Sequence, residues 1–269
     1  MVNKAVLLAA GEGNRMRRSD PGARLSTAQA AAAESGVKAL IPIDGPFLDY
    51  VLTSLADAGC QRVCLVVGPD HNALRDHYTP LSGGRLEFHF AVQPAPLGTA
   101  DALAAAADFV GEEHFLLINS DNYYPAEPLR QLRELDGPGT VGFERGGLLE
   151  GSNIPAERIS RYAIIQQDAD GYLQNIIEKP DPAVIDALPR PHLVSMNCWR
   201  FGPEIMTACR AIEKSPRGEF EIPEAVSYSM RELGQRYQVV TSSGAVLDLS
   251  CQADIAPVTQ RLAGTEVNL

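Results

Sequence analysis

The chain has 269 residues, of which 45% are hydrophobic, and this is ample for a packed core in one or two domains. Its net charge of -11 opposes general attraction to polyanions, so we expect no nucleic acid and no anionic membrane as partners. The N-terminus lacks a signal-peptide pattern and no stretch approaches about 18 consecutive apolar residues, so we expect a cytoplasmic protein. Association into a homo-oligomer is left open.

The first predicted element is an apolar strand that leads into a glycine-containing, basic loop. It reads AVLLAAGEGNRMRR, from Ala5 to Arg18. Backbone N–H groups and cations in such a loop can surround phosphate groups. The loop is not a dinucleotide-binding fingerprint, because Met16 replaces the third glycine, and it is not a Walker A loop, because no Gly-Lys-Ser/Thr follows. It therefore indicates a nucleotide site of another kind.

Through the first half of the chain, strand-like apolar runs alternate with helical periodicity. The predicted strands are residues 38–43, 62–68, 85–92 and 114–120. The predicted helices are residues 47–58, which Gly59 ends, and residues 99–109. This alternation predicts an α/β, Rossmann-like fold with a mostly parallel sheet flanked by helices.

After Gly139 the pattern changes to that of antiparallel strands. Residues 162–179 predict a hairpin that turns at Asp170-Gly171, and LVSMNCWRF at 193–201 predicts another strand. Helices are predicted near residues 203–213 and 221–234. Without a linker or an internal repeat, we expect one catalytic domain over residues 1–269, with a small antiparallel substrate-binding lobe at roughly 140–220.

Two carboxylates follow apolar, strand-like runs. Asp121 comes directly after FLLINS, and Asp248 directly after AVL. Ligands of an open α/β sheet bind at the carboxyl ends of its strands. Mg²⁺ is usually held by one or two carboxylates together with substrate phosphates. We therefore predict Mg²⁺ as the cofactor, with Asp121 and Asp248 as its ligands.

Lysine is scarce in this chain, with four lysines against 19 arginines. Lys38 begins KALIP and Lys179 lies in EKP. Lysine meets phosphate as a compact point charge, whereas an arginine of the first loop meets it as a planar fork. Arg15, Lys38 and Lys179 are therefore candidates to neutralise three different phosphate groups.

Taken in order, these motifs resemble those of the sugar-phosphate nucleotidylyltransferases, which include glucose-1-phosphate thymidylyl- and uridylyltransferases. The segments that carry the resemblance are LAAGEGNRM, KALIPI, QPAPLGTADAL, NSDN, EKP and DLSCQADI, and they span nearly the whole chain. Transfer of a nucleoside monophosphate from an NTP to a sugar 1-phosphate, in particular a hexose 1-phosphate, is the activity that the resemblance implies.

The resemblance also implies roles for individual residues. Those implied to hold the nucleotide are Ala10, Gly11, Gly13, Gln93, Gly98 and Thr99. Those implied to contact the sugar are Asn122, Tyr162, Glu178 and Asn197. Arg15 is implied to meet the departing pyrophosphate, Lys38 the triphosphate and Lys179 the sugar phosphate, while Asp121 and Asp248 bind the metal.

The sequence departs from the family pattern in three places. Extra residues separate Arg15 from Lys38, N-C-W at 197–199 replaces an aromatic-containing G-x-Y element, and Glu224 stands where aspartate is common. The base and the sugar therefore stay open. Two alternatives also stay open: transfer to an alditol or aminoalkyl phosphate, and a catalytically silent regulatory or binding homologue. We further hypothesise that residues 19–37 form a mobile lid, since turn and glycine signals flank them.

Overall fold

The structure is a computed structural model, and it describes residues 1–188 and 192–269. The strands are β1 (Lys4–Ala9), β2 (Arg62–Val67), β3 (Glu87–Val92), β4 (Phe115–Asn119), β5 (Asn122–Tyr123), β6 (Gly139–Phe143), β7 (Ala163–Gln167), β8 (Leu173–Ile177), β9 (Leu193–Phe201), β10 (Gln238–Ser242) and β11 (Leu247–Asp248). The α-helices are α1 (Asn14–Arg17), α2 (Thr27–Ser35), α3 (Phe47–Ala58), α4 (Asn72–Tyr78), α5 (Thr99–Ala105), α6 (Ala107–Val110), α7 (Ala126–Glu134), α8 (Arg145–Gly151), α9 (Pro182–Ala187), α10 (Glu204–Ala211), α11 (Ile222–Glu232) and α12 (Gln252–Leu262). Short 3₁₀ helices cover Lys38–Leu40, Thr79–Leu81 and Ala156–Arg161.

The central sheet has the strand order β10-β6-β9-β4-β1-β2-β3. Strands β4, β1, β2 and β3 are parallel neighbours, whereas β9 is antiparallel to both β4 and β6. The hairpin of β7 and β8 joins the sheet through β9. These pairings confirm the predicted α/β, Rossmann-like fold and its antiparallel part.

Helices cover both faces of the parallel strands, so these strands are apolar on both sides. In β4, Leu116 and Ile118 pack into the core with α3 and α7. The alternate residues Phe115 and Leu117 pack into the opposite core with α5, α10 and α11. Successive strand residues point to opposite faces, and this divides one apolar run between two cores.

The hairpin was predicted correctly. Gln167 pairs with Leu173, and the turn is closed by a hydrogen bond from the backbone N–H of Asp168 to the carbonyl of Tyr172, at 2.8 Å. Gly171 has a φ of 80°, a conformation that glycine adopts without steric cost. The helix that ends at Gly59 was also correct, since α3 covers Phe47–Ala58 and Gly59 is its C-cap.

The strand predicted at residues 38–43 was wrong. Lys38–Leu40 is a 3₁₀ helix, closed by the N–H of Ile41 on the carbonyl of Lys38 at 3.0 Å. An isolated bridge joins Pro42 to Pro46. Neither proline has an N–H, so a ladder of strand hydrogen bonds cannot continue there.

The helix predicted at 99–109 is divided at Ala106 into α5 and α6. Within the described residues, no helix is both long and apolar enough to cross a membrane.

Candidate active site

A cavity of about 430 Å³ opens where β1 and β4 end, next to the segment that follows β3. This is the edge of the sheet where ligands of open α/β folds bind. More than half of the predicted site residues line it: Ala10, Gly11, Lys38, Gln93, Gly98, Thr99, Asp121 and Asn197. The structure thus brings residues that follow β1, β3 and β4 together around one cavity.

The loop after β1 forms one wall of this cavity through Ala10 and Gly11. Gly13, which is buried, has a φ of 66°, and a side chain there would collide with the backbone of Gly36. Gly13 is therefore required by the close approach of the two loops. Arg15 follows on α1 and is exposed to solvent.

Lys38 and Asp121 form an ion pair at the cavity wall. The Lys38 Nζ lies 2.7 Å from the Asp121 Oδ2. Both side chains keep some exposure, 17% for Lys38 and 26% for Asp121, and both line the cavity. A ligand that enters the cavity therefore meets a cation and a carboxylate side by side.

The β5–β11 ribbon places Asp248 beside this pair, since Asn122 is directly opposite Asp248. The Asp248 Oδ1 accepts hydrogen bonds from Asn122 Nδ2 and from Ser250 Oγ, each at 3.0 Å. Its Oδ2 accepts from Tyr162 OH at 3.0 Å and from the Arg158 guanidinium. Asn122 and Tyr162, predicted to contact sugar, therefore donate to a carboxylate in this structure.

Arg158 was missed by the sequence analysis. It lies in the 3₁₀ helix of Ala156–Arg161, and its Nη1 also donates to Asp254 Oδ1 at 2.6 Å. Asp254 stands in the first turn of α12 and accepts the backbone N–H groups of Ser250 and Cys251. No local motif singles out Arg158, because the residues that it joins are far apart in sequence.

Burial raises the pKa of the Asp248 carboxyl above its ordinary value, and the negative charge of Asp121 raises it further. Arg158 acts in the opposite direction. Burial is thus the main cause of the raised pKa of Asp248, and the charges of Asp121 and Arg158 act on it in opposite directions.

The two predicted metal ligands differ in how well they suit Mg²⁺. Asp121 fits, because its carboxylate lines the cavity and hard cations favour such oxygens. Asp248 does not fit as it stands, because four donors already occupy the acceptor positions of its two oxygens. Across residues 1–188 and 192–269, no group of three or more His, Cys, Asp and Glu side chains is arranged to hold a metal ion.

On the predicted sugar side, the backbone is strained at two candidate residues. Lys179 has a φ of 45° and Asn197 a φ of 53°, and in the described part of the chain these are the non-glycine residues with positive φ. Such strain costs of the order of 1–3 kcal/mol and is concentrated at functional sites. This backbone geometry therefore adds to the candidacy of Lys179 and Asn197.

Glu178 and Lys179 belong to a charged cluster that also contains Arg217, which the sequence analysis missed. The Lys179 Nζ lies 3.0 Å from Glu178 Oε1, and Arg217 Nη1 lies 3.6 Å from the same oxygen. Arg217 Nη2 also contacts the buried Glu221 at 3.0 Å. Arg217 thus links the end of β8 to the start of α11.

At the other end of the cavity, the segment after β3 is held by close backbone contacts. Gly98 has a φ of 118°, and a side chain there would collide with the backbone of Phe220. The Thr99 Oγ1 accepts the N–H of Ile222 at 3.0 Å. The Gln93 carboxamide is buried and donates from its Nε2 to the carbonyl of Gly98 at 3.0 Å and to Asp101 Oδ2 at 2.8 Å.

Comparison with known proteins agrees with the class of enzyme that this fold and cavity suggest. The sequence profile of the nucleotidyl transferase family matches residues 4–249, and the chain belongs to that family. It is thus an enzyme of the nucleotidyltransferase class.

Among its relatives, the UTP–glucose-1-phosphate uridylyltransferase AglF of Haloferax volcanii is 28% identical over 263 residues, covering 96% of each chain. A glucose-1-phosphate thymidylyltransferase of Streptomyces griseus is 26% identical over 266 residues, covering 97% of this chain and 66% of that protein. The crystal structure of a UDP-glucose pyrophosphorylase complexed with UDP-glucose superimposes with a TM-score of 0.74 at 18% identity, covering 99% of this chain and 100% of that one.

Proposed function

We propose that the protein transfers a nucleoside monophosphate from an NTP to a sugar 1-phosphate, with Mg²⁺, and releases pyrophosphate. The observation that carries the proposal is the polarity of the cavity. Lys38 pairs with Asp121 after β4, whereas the neutral amide of Gln93 lies after β3, where the carboxylate of Glu219 also lines the cavity and disfavours an anion. This distribution suits a ligand with an anionic end and an uncharged, hydrogen-bonding end.

The reaction needs no general base. A phosphate monoester has a second pKa of about 6, so the attacking oxygen of a sugar phosphate is already ionised at neutral pH. That oxygen forms a bond to the α-phosphorus, the bond from the α-phosphorus to the bridging oxygen breaks, and pyrophosphate leaves with the electron pair. The difficulty is to bring two anions together in line and to stabilise charge on the leaving group.

Cationic side chains of this protein can both align the two anionic substrates and stabilise the charge on the leaving pyrophosphate. In the proposal, Lys38 binds the triphosphate and Arg15 meets the leaving pyrophosphate, while Lys179 meets the phosphate of the sugar. Bound Mg²⁺ would supply charge neutralisation and orientation of the phosphate oxygens, and Asp121 would hold it.

The antiparallel part at roughly 140–220 would hold the sugar, with the whole chain acting as one catalytic domain. Glu178 and Asn197 are proposed to contact its hydroxyl groups, since Asn197 lines the cavity and Glu178 precedes Lys179. A hexose is the sugar that the relatives' names favour, because both name glucose 1-phosphate.

A matrix of substrates tests this proposal. The protein is incubated with Mg²⁺, each of UTP, dTTP, CTP, GTP and ATP, and each of several acceptors: hexose 1-phosphates, an alditol phosphate and an aminoalkyl phosphate. Pyrophosphate release is measured, and the nucleotide product is identified by mass spectrometry. We expect a nucleoside diphosphate sugar from a hexose 1-phosphate. Turnover confined to the other acceptors, or to none, would reject the proposed acceptor.

A further inference from the structure

Gln93 and Asp101 form a contact that fixes which atom of the Gln93 amide is free. The carboxamide nitrogen has two hydrogens, and both are engaged: one by the carbonyl of Gly98, the other by the carboxylate of Asp101. A carbonyl and a carboxylate only accept hydrogen bonds, so an amide turned the other way would face two acceptors with an acceptor. The network therefore determines the amide's orientation.

The position of Asp101 favours the ionised carboxylate that accepts the hydrogen bond from Gln93. It lies in the first turn of α5, where a negative charge is favoured by the helix dipole. Gln93 is only 4% exposed, so the surrounding residues restrict the rotation of its side chain. Within residues 1–188 and 192–269, no hydrogen bond engages the Gln93 Oε1. The group that Gln93 offers to the cavity is thus an acceptor.

This acceptor is far from the charged end of the cavity. Gln93 follows β3 and Asp121 follows β4, and the order β3-β2-β1-β4 separates them by three strand spacings of about 4.8 Å, or roughly 14 Å. The cavity residues near Gln93 in sequence are uncharged: Pro96, Gly98, Thr99 and Ala102. Glu219 also lines the cavity, next to the Phe220 backbone that packs against Gly98, and its negative charge disfavours a phosphate at this end. If the phosphates lie at Lys38, the uncharged base lies toward Gln93.

We propose that Asp101 is a positioning residue that holds the Gln93 amide with its oxygen toward the nucleobase. The site then selects a base with a ring N–H on its hydrogen-bonding edge, as in the N3–H of uracil and thymine or the N1–H of guanine. Cytosine and adenine present a ring nitrogen acceptor instead, which would face the amide oxygen. The inference rests on the proposed nucleotide site, but it does not depend on which phosphate is the acceptor.

Nucleotide binding tests this without turnover. Affinities for UTP, dTTP, GTP, CTP and ATP are measured by isothermal titration calorimetry with Mg²⁺ and without any sugar phosphate. We expect UTP or GTP to bind on the order of 10- to 100-fold more tightly than CTP, because an unmatched buried acceptor costs that much. The order of UTP and GTP identifies whether the N–H belongs to a pyrimidine or a purine. Equal affinities for UTP, GTP and CTP would overturn the proposal.

The matched variants are Asp101→Asn and Asp108→Asn. An asparagine at 101 has nearly the same shape but can donate or accept, so the Gln93 amide is free to turn. We expect the affinity ratio of the preferred nucleotide to CTP to fall toward one in Asp101→Asn. The control residue Asp108 is exposed on the adjacent α6, and Asp108→Asn should keep the parental ratio.

The affinity ratio of the preferred nucleotide to CTP distinguishes a positioning role of Asp101 from a general loss of structure. A loss of structure at 101 weakens all nucleotides alike and leaves the ratio unchanged, and this result would reject the role of Asp101. Selective binding without transfer to any sugar phosphate would reject the proposed function while supporting the base selection inferred here.

Discussion

Replacement of Arg158 by methionine is expected to destabilise the fold strongly. Arg158 contacts two carboxylates, Asp248 and Asp254, whose side chains are each only 5% exposed. Methionine preserves most of the side-chain volume but removes the only cation that these carboxylates contact in the described part of the chain. Removing one partner of a buried ion pair costs about 3–5 kcal/mol, because the other charge stays buried.

This cost is a large part of the 5–15 kcal/mol that typically stabilises a protein. At about 2–4 °C per kcal/mol for chains of 150–250 residues, Tm should fall by roughly 6–20 °C. Urea unfolding followed by circular dichroism and by the fluorescence of Trp199, which is fully buried, measures the free energy of unfolding. Arg161→Met is the control: Arg161 is exposed in the same 3₁₀ helix, and its loss should cost no more than about 0.5 kcal/mol.

The pH dependence provides a second readout. The raised pKa of Asp248 means that the folded state favours its protonated form, and without Arg158 the pKa rises further. The cost of the buried carboxylate is therefore present at neutral pH and falls as pH is lowered through the folded-state pKa. The difference in the free energy of unfolding between the parent and Arg158→Met should therefore become smaller as the pH is lowered. A loss below about 1 kcal/mol at pH 7, or a deficit that grows on acidification, would refute this reasoning.

Three further predictions concern catalysis and motion. Asp121→Asn should lower kcat by roughly 10² to 10⁴ with the fold retained, because charge stabilisation of several kcal/mol is lost; near-normal turnover would remove Asp121 from the metal site. Lys179→Ala should mainly raise KM for the sugar phosphate, whose charge exists before reaction, whereas Arg15→Ala should mainly lower kcat, since charge on the leaving pyrophosphate grows in the transition state. Steady-state kinetics with each substrate varied in turn would show equal effects on both parameters if this division of roles is wrong. If residues 19–37 close over the triphosphate, hydrogen exchange there should slow on saturation with NTP and Mg²⁺, and unchanged exchange would exclude a lid.

The local sequence predicted much of the fold. The β1 strand and its loop, the helix that ends at Gly59 and the hairpin at Asp170-Gly171 all appear where the pattern placed them. Each depends on neighbours within a few residues: alternating apolar positions, a glycine that accepts positive φ, or a turn dipeptide. The prediction at 38–43 was wrong because its apolar run is typical of a strand, whereas Pro42 has no N–H to continue a strand ladder and forms only an isolated bridge with Pro46.

The contacts inside the candidate site were decided by tertiary structure. Arg158 and Asp248 are 90 residues apart, and the pairing of β5 with β11 brings Asn122 to Asp248 across 126 residues. Sequence patterns identified Asp248 as a carboxylate at a strand end, but they could not show that four donors would occupy it. Which groups meet there depends on how distant segments pack, and no local periodicity encodes that choice.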